Sequence, residues 1–321
     1  MTAKPLLSIC IPTYNRAEKL QQCLHHIAVQ LGDEKVRGAI EVVISDNASE
    51  DNTKEVVKKF QGSFDNIVYV RNEKNLGIDK NIINSVVQAN GKYCWHIGDD
   101  DFISNGSLQF LVDYFSKQEV ALLTVNYQFF TDIATSLKKD ADIDQALITY
   151  STSPEEFYKK GYCQGTLGIF IFLRDLWLTI DRTNYETFWS YYEIILKMLP
   201  TTNLRLAHLN HPLLFIGRDY RWNEGGDGFF TFIYAVKTYK KLEKFGYSKE
   251  FSQHEKDRMS KNLFWVVLSA KSFGLPCSLK NFRLIYQNFT EYPVQLFLTT
   301  LIFFLPNSFI KSTKRITKKR K

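Results

Sequence analysis

The chain is poor in the residues that mark a specialised scaffold. Its five cysteines (Cys10, Cys23, Cys94, Cys163, Cys277) are odd in number, scattered over 321 residues and without a C-x-x-C pair. That excludes a disulfide framework and a Cys-based zinc site, and it suits a reducing cytosol; Cys10 and Cys94 lie inside apolar runs and read as small core residues. The first turn, PTYNR at 12–16, has no glycine, so a nucleotidyltransferase built on a Gly-rich phosphate loop is set aside. No stretch reaches the roughly 20 apolar residues of a spanning helix. The nearest approach, YPVQLFLTTLIFFLPNSFI at 292–310, is uncharged over 19 residues, but Pro293 and Pro306 bracket only twelve positions. The N-terminus, MTAKPLLSICIPTYN, lacks a long apolar region and a small-residue cleavage site, so no signal peptide is expected. There is no internal repeat.

The net charge of +7 is equally uneven. The last eleven residues, KSTKRITKKRK, hold seven Lys and Arg and no acid, which leaves 34 basic against 34 acidic residues in the rest. The body is therefore not a basic nucleic-acid-binding surface, and no nucleic acid partner is expected. A chain of this length can bury a sizeable core, as one large domain or one domain with an appendage.

What is present is alternation. Short apolar runs at Leu7–Pro12, Glu41–Ser45, Ile67–Arg71 and Tyr93–Ile97 alternate with helical patterns at about 16–30, 51–60 and 78–89. Such a pattern predicts a parallel sheet with helices on both faces. Asn15 with Glu18 three residues on predicts a capping box at the first helix, and Ser153-Pro154-Glu155-Glu156 predicts another helix start. Gly106–Phe115 and a helix around Phe188–Leu199 are further predicted helices, Val120–Phe129 a strand and Thr131–Tyr150 a loop; from Phe229 onward the pattern is helical. In parallel sheets, ligands bind outside the carboxyl ends of the strands. Here those ends read PTYNR, SDNASED, RNEKNLG and GDDD, each loaded with Asn, Asp or Arg. Single turns favour these residues anyway, but four loaded ends on one edge predict a site.

The sharpest feature is WHIGDDD at 95–101, three carboxylates directly after an apolar strand. Adjacent carboxylates repel, and one Asp suffices to cap a helix; the triplet is energetically reasonable if a cation sits beside it. The stretches LLSICIPTYNRAEKLQQCL (6–24), EVVISDNASEDNT (41–53) and NLGIDKNIINSVVQANGKYCWHIGDDD (75–101) resemble, in order and spacing, the nucleotide-sugar-binding half of family 2 glycosyltransferases of the GT-A fold. The similarity covers roughly 6–115 and continues more weakly to about 228. GDDD and the later GTLGIF are most similar to bacterial enzymes that build O-antigen or capsule repeats, abequosyltransferase-like members included.

The resemblance implies an α/β GT-A fold, Rossmann-like and mostly parallel, as a catalytic domain over 1–228, with a helical C-terminal region over 229–321. It implies Mn²⁺ or Mg²⁺ as cofactor, since hard cations take carboxylate and phosphate oxygens, and a Lewis-acid role for the metal at the leaving diphosphate. Asp99 is expected on the ribose and Asp100 on the metal, with Asp101 beside it as a second ligand and part of the catalytic apparatus. Pro12, Thr13, Tyr14 and Arg16 correspond to the segment against base and ribose, and Asp46 to the Asp on the base edge. Arg71 and Lys80 lie where relatives contact base or phosphate. Arg218 and Arg221, in GRDYRWNEGG, match a loop that closes over the diphosphate, a role that suits the guanidinium fork. Relatives carry a Glu-Asp pair as general base at a helix start; here that position is Ser190-Tyr191. Glu193 is the nearest carboxylate and the expected base, with Glu186 next; the alternative for Glu193 is a surface pair with Lys197. His208 and His211 read as structural.

The expected activity is metal-dependent inverting transfer of a hexosyl or deoxyhexosyl group, from a nucleotide-sugar to a glycan or polyprenyl-diphosphate-linked acceptor, in surface polysaccharide assembly. A non-catalytic glycan- or nucleotide-sugar-binding scaffold is the alternative. The apolar segment and basic tail suit an in-plane anchor on an anionic inner leaflet, making the protein peripheral on the cytoplasmic membrane face, or else a core helix with a solvated tail.

Overall fold

The computed structural model describes residues 4–62, 66–130, 143, 148–186, 188–217, 227–307 and 309–310. They fall into two compact units, Met1–Asn184 with Ser190–Arg218, and Tyr185–Trp189 with Asp219–Lys321. The division thus falls ten residues before the 228/229 boundary read from the sequence, and residues 185–189 group with the second unit.

In the first unit, β1 (Leu7–Thr13), β2 (Ile40–Asp46), β3 (Ile67–Arg71) and β4 (Tyr93–His96) lie in the order β3-β2-β1-β4, all parallel. β2 is buried along its whole length and β1 at all but one residue, as expected for strands covered on both faces. Beyond β4 the sheet is mixed. β8 (Phe170–Leu173) runs antiparallel to β4 and to β6 (Leu122–Phe130); β9 (Leu206–Gly217) runs parallel to β6. The short β5 (Phe102–Ile103) and β7 (Ile148–Ser151) both pair antiparallel with β9. β7 overlaps the end of the stretch expected to be loop, whose residues 131–142 and 144–147 are outside the described ones.

The helices of this unit are α1 (Ala17–Gln30), α2 (Glu34–Ala39), α3 (Thr53–Gln61), α4 (Ile78–Val87), α5 (Ser107–Lys117), α6 (Pro154–Lys159), α7 (Arg174–Leu178) and α8 (Ser190–Met198). α1 buries Ala17, Leu20, Cys23, Leu24 and Ile27, the i, i+3, i+4 stripe of a helix lying on a sheet. The capping box expected at Asn15 does not form. Asn15 sits at φ 51 and its side chain accepts from Glu50 N–H (2.8 Å) instead, while Asp51 reaches across to accept from Ala17 N–H at the helix start (2.9 Å). The turn after β2 thus caps the helix after β1. At α6 the expected cap is present: Ser153 Oγ accepts from Glu156 N–H, with Pro154 in the first turn.

The second unit is helical: α9 (Asp227–Tyr239), α10 (Leu242–Phe245), α11 (Lys249–Ser272), α12 (Leu279–Phe289) and α13 (Pro293–Phe304). Ser248 and Ser278 cap α11 and α12 through Phe251 N–H and Asn281 N–H. Phe282 of α12 lies against Phe303 and Phe304 of α13, ring centres 5.8 and 5.1 Å away.

Gly168, just before β8, shows how tightly the first unit closes on the end of β4. Its carbonyl accepts from Trp95 Nε1 (2.6 Å), its φ is +96°, and a Cβ there would lie 2.3 Å from Leu214 Cδ2. Both the backbone conformation and the space require glycine. Gly168→Ala is expected to cost about 2 kcal/mol or more, read as a lower urea midpoint at unchanged slope; a midpoint equal to wild type would show that β8 packs differently.

Candidate active site

The strand order reverses between β1 and β4, which opens a crevice at their carboxyl ends. Thr13 ends β1, and its hydroxyl donates to Asp99 Oδ2 (2.7 Å) across that crevice. Arg16, three residues on, spans two carboxylates: Nη1 is 3.0 Å from Asp99 Oδ1 and Nη2 2.5 Å from Asp100 Oδ2. Asp101 turns back into its own loop, where Oδ2 accepts from Gly98 N–H (2.9 Å). A Cβ at Gly98 would sit 2.9 Å from that oxygen, so the turn is built around the missing side chain. Below it, Cys23 of α1 directs its thiol toward Gly98 O (3.9 Å).

The electrostatics follow from burial. Asp99 and Asp101 are almost inaccessible. Desolvation, with Asp100 adding repulsion, pushes Asp101 up to about 7; Asp99 is raised by desolvation to about 6, with Arg16 and the Thr13 hydroxyl pulling the other way. The counter-charge predicted for the triplet is thus supplied in part by the chain itself. Arg16, expected against base and ribose, stands on the carboxylates.

The second half of the edge lies at β2 and β3. Asp46 is fully buried; Oδ1 accepts from Ser49 N–H (2.9 Å) and Oδ2 from the Tyr69 hydroxyl (2.6 Å), with Arg71 Nε 3.7 Å away. Arg71 also donates through Nη2 to Ser49 O (3.0 Å). Burial and the Asp46 carboxylate raise the Tyr69 phenol, so it stays a donor. Sequence reading missed Tyr69, and it missed the asparagines around it. Asn72 donates to Asn47 Oδ1 and Asn81 Oδ1, Asn84 donates to Asn72 Oδ1, and Asn81 Nδ2 donates to the carbonyls of Thr13 and Ser45. Their density in SDNASED and RNEKNLGIDKNIIN was the available signal. Tyr14, at the end of β1, is exposed, Pro12 partly so, and Lys80 points to solvent from the first turn of α4. Arg218 and Arg221 lie outside the described residues.

The two expected bases are both engaged in ion pairs. Glu193 has no exposed surface and pairs with Lys197 one turn along α8, Oε1–Nζ 3.2 Å. Glu186 pairs with Lys241 (2.9 Å) and Lys237 (3.7 Å) in the second unit. The carboxylate at the start of α8 comes instead from Asp79 of α4, whose Oδ1 accepts from Ser190 N–H (3.2 Å). His208 is structural: its ring is stacked on Tyr162 (centres 3.9 Å), bonded to Thr124 Oγ1 and held by burial at about 4.

The oxygen-only triplet fits a hard divalent cation. Among the described residues, however, no three His, Cys, Asp or Glu side chains converge to hold one unaided. Asp100, the most accessible of the three, with Asp101 beside it, would be the protein's share of a site completed by phosphate oxygens.

A parallel half-sheet with acidic and aromatic side chains at its switch point, joined to a mixed second half, is the GT-A glycosyltransferase architecture. The model of the glycosyl transferase family 2 domain matches residues 8–177, and the chain belongs to that family. It is 31% identical over 226 residues, 67% of each chain, to abequosyltransferase RfbV of Salmonella typhimurium. It is 35% identical over 109 residues to a Campylobacter jejuni GalNAc(5)-diNAcBac-PP-undecaprenol beta-1,3-glucosyltransferase, a match spanning 34% of each. Staphylococcus aureus TarS 1-349 in complex with UDP shares the fold at TM-score 0.56 and 14% identity, covering 97% of this chain and 92% of that one. So does the Pyrobaculum calidifontis mannosyltransferase PcManGT with GDP-Man and Mn²⁺, at TM-score 0.56 and 16% identity, covering 99% and 89%.

The raised carboxyls set a pH dependence for the metal-free protein. A carboxyl whose pKa rises on folding binds its proton more tightly in the native chain, so stability is lost as pH climbs from the unfolded value of about 4 to about 7. For Asp101 the loss is on the order of a few kcal/mol. Asp101→Asn should therefore raise the melting temperature at pH 8 and leave it nearly unchanged at pH 4. Equal melting of the two proteins at pH 8 would show that Asp101 ionises without cost.

Proposed function

We propose that the chain transfers a sugar, with inversion, from a nucleotide-sugar to a glycan acceptor carried on polyprenyl diphosphate, with Mn²⁺ or Mg²⁺ as cofactor. The observation that carries this reading is the joining of Thr13 and Arg16 at the end of β1 to Asp99 and Asp100 at the end of β4. Donor binding as such draws support from the neighbours with UDP and GDP-Man, and the lipid-linked acceptor from the name of the Campylobacter relative. A family 2 enzyme resembling an abequosyltransferase suits surface polysaccharide assembly, of O-antigen or capsule type.

On this reading Asp46, with Tyr69 and Arg71, receives the base edge; Pro12, Thr13 and Tyr14 line base and ribose, and Asp99 holds the ribose. Asp100 and Asp101 supply carboxylate oxygens to the cation, which when bound acts as a Lewis acid on the departing diphosphate. Lys80, Arg218 and Arg221 are assigned to the phosphates. The acceptor hydroxyl needs a carboxylate to take its proton. Glu193 can serve only by leaving Lys197 and its buried position, whereas Asp79 already stands at the start of α8, beside Ser190. The absence of a carboxylate pair at Ser190-Tyr191 is the one feature favouring the second reading, a non-catalytic glycan-binding scaffold.

Incubation with a panel of sugar nucleotides and Mn²⁺ decides between the two: turnover or slow donor hydrolysis is expected, and Asp100→Asn should remove most of it without loss of fold. In the same assay the residue acting as base should lose about 10²–10⁴-fold in turnover as its amide, at unchanged donor affinity. Asp79→Asn and Glu193→Gln are compared directly. No turnover with any donor would leave the scaffold reading standing.

A membrane-face location, cytoplasmic and peripheral, is supported by the second unit. No helix among the described residues is long and apolar enough to cross a membrane. Yet α13 turns Val294, Phe297, Leu298 and Leu301 outward, at 65, 63, 45 and 54% exposure. A 12-residue helix with such a stripe suits lying in the interface plane, and the seven basic residues of 311–321, outside the described ones, would meet anionic headgroups. Phe297→Ser with Leu301→Ser should lower binding to vesicles rich in anionic lipid roughly tenfold or more. Unchanged binding would assign the stripe to some other role.

A further inference from the structure

We infer that Arg16 is the resident counterion of the carboxylate turn, and that a divalent cation reaches Asp100 and Asp101 tightly only together with a nucleoside diphosphate that draws Arg16 away. The inference rests on the metal-dependent donor reading above and adds to it an order of loading.

Arg16 occupies lone pairs that a cation would need. One guanidinium nitrogen stands on Asp99 Oδ1 and another on Asp100 Oδ2, so the fork bridges two adjacent carboxylates of the triplet. Two further oxygens are also engaged, Asp99 Oδ2 with the Thr13 hydroxyl and Asp101 Oδ2 with Gly98 N–H. Among the described residues, moreover, no three His, Cys, Asp or Glu side chains converge to form a ready cage. A guanidinium and a divalent cation repel each other on one carboxylate, so one must yield.

Arg16 is the member able to move. Its side chain is 36% exposed, against 4% for Asp99 and 21% for Asp100. It stands at the residue preceding α1, where swinging the side chain asks nothing of the helix. A diphosphate offers it a replacement of the same geometry, since a guanidinium pairs with phosphate oxygens as it does with carboxylate. The diphosphate also completes the cation's oxygen shell. Metal and nucleotide therefore bind with positive coupling, each tightening the other by the same factor.

The test is Mn²⁺ titration of the metal-free full chain, followed by the spin-resonance signal of the aqueous ion, without nucleotide and with saturating UDP, CDP, GDP or dTDP. Wild type is expected to bind Mn²⁺ weakly alone and at least about tenfold more tightly with its matching nucleotide, a usual size of coupling between sites. Arg16→Gln should bind Mn²⁺ alone about tenfold more tightly than wild type and lose most of the coupling; Arg16→Met replaces it if the Gln protein does not fold. Thr13→Val loosens Asp99 without changing the charge and should not tighten Mn²⁺ binding. Neutral variants no tighter than wild type, while wild type retains nucleotide-dependent Mn²⁺ binding, overturn the counterion role alone. Equal tightening by Thr13→Val also overturns it, because the effect would then be loosening of the turn. Absence of Mn²⁺ binding by every protein with every nucleotide overturns the metal-dependent reading beneath it as well.

Discussion

Three consecutive carboxylates in one turn, two of them buried, are the constraint around which the first unit is arranged. Local relief is limited to the Gly98 N–H, since Phe102 and Ile103 follow at once and are buried. The rest comes from far along the chain. Thr13 and Arg16 arrive from the end of β1, Gly98 gives up its side chain so that its N–H can face Asp101, and Cys23 fills the space beneath. Gly168, held by the Trp95 indole, passes so close that its Cβ would come within 3.6 Å of Asp101 Oδ2. What stays uncompensated appears as raised affinity for protons at Asp99 and Asp101. That is the electrostatic state expected of a site whose remaining positive charge is brought by a ligand.

The sequence-based reading was strong where burial is two-sided. β1 to β4 and α1, α3 and α4 could be read because central parallel strands are unbroken apolar runs and their helices carry a 3.6-residue stripe, both purely local signals. β8 and β9 were less legible. β8 pairs antiparallel with β4 and β6, β9 pairs with strands of both directions, and short apolar segments such as Phe170–Leu173 do not state their partners. The cap of α1 failed for a related reason: Asn15 and Glu18 have the right spacing, but Asp51 competes for the same helix start from another loop.

The site divides along the same line. The acidic and basic residues at the strand ends could be named from sequence because they cluster after apolar runs, and their types already limit the chemistry. Which charge faces which could not. Arg16 is one residue among PTYNR until the fold sets it over Asp99 and Asp100. Glu193 shows the opposite failure. Its spacing from Lys197 permits a surface pair or a reactive carboxylate, and the buried pair actually formed depends on which side of α8 is covered, a tertiary fact. Asp79 escaped notice because its relation to Ser190 spans 111 residues.

The two halves of the edge differ in how they are prepared. Around Asp46 nearly every polar group is satisfied: Tyr69, Ser49 and Arg71 fix the carboxylate, and Asn47, Asn72, Asn81 and Asn84 tie β1, β2 and α4 into one network. Such a half is rigid before any ligand arrives, and little ordering cost remains when one binds. In the carboxylate half the charge is offset in part by the partly exposed Arg16 guanidinium, with the Thr13 hydroxyl and Gly98 N–H beside it. A ligand with a planar hydrogen-bonding end and a polyanionic end would meet a fixed surface with the first and rearrange charge with the second. On the proposed reading, selectivity would reside mainly at Asp46, Tyr69 and Arg71, where a wrong group would leave the buried Asp46 carboxylate poorly satisfied. On the same reading the carboxylate turn, whose interactions are largely those of charge, would govern whether a bound ligand is brought to a reactive arrangement.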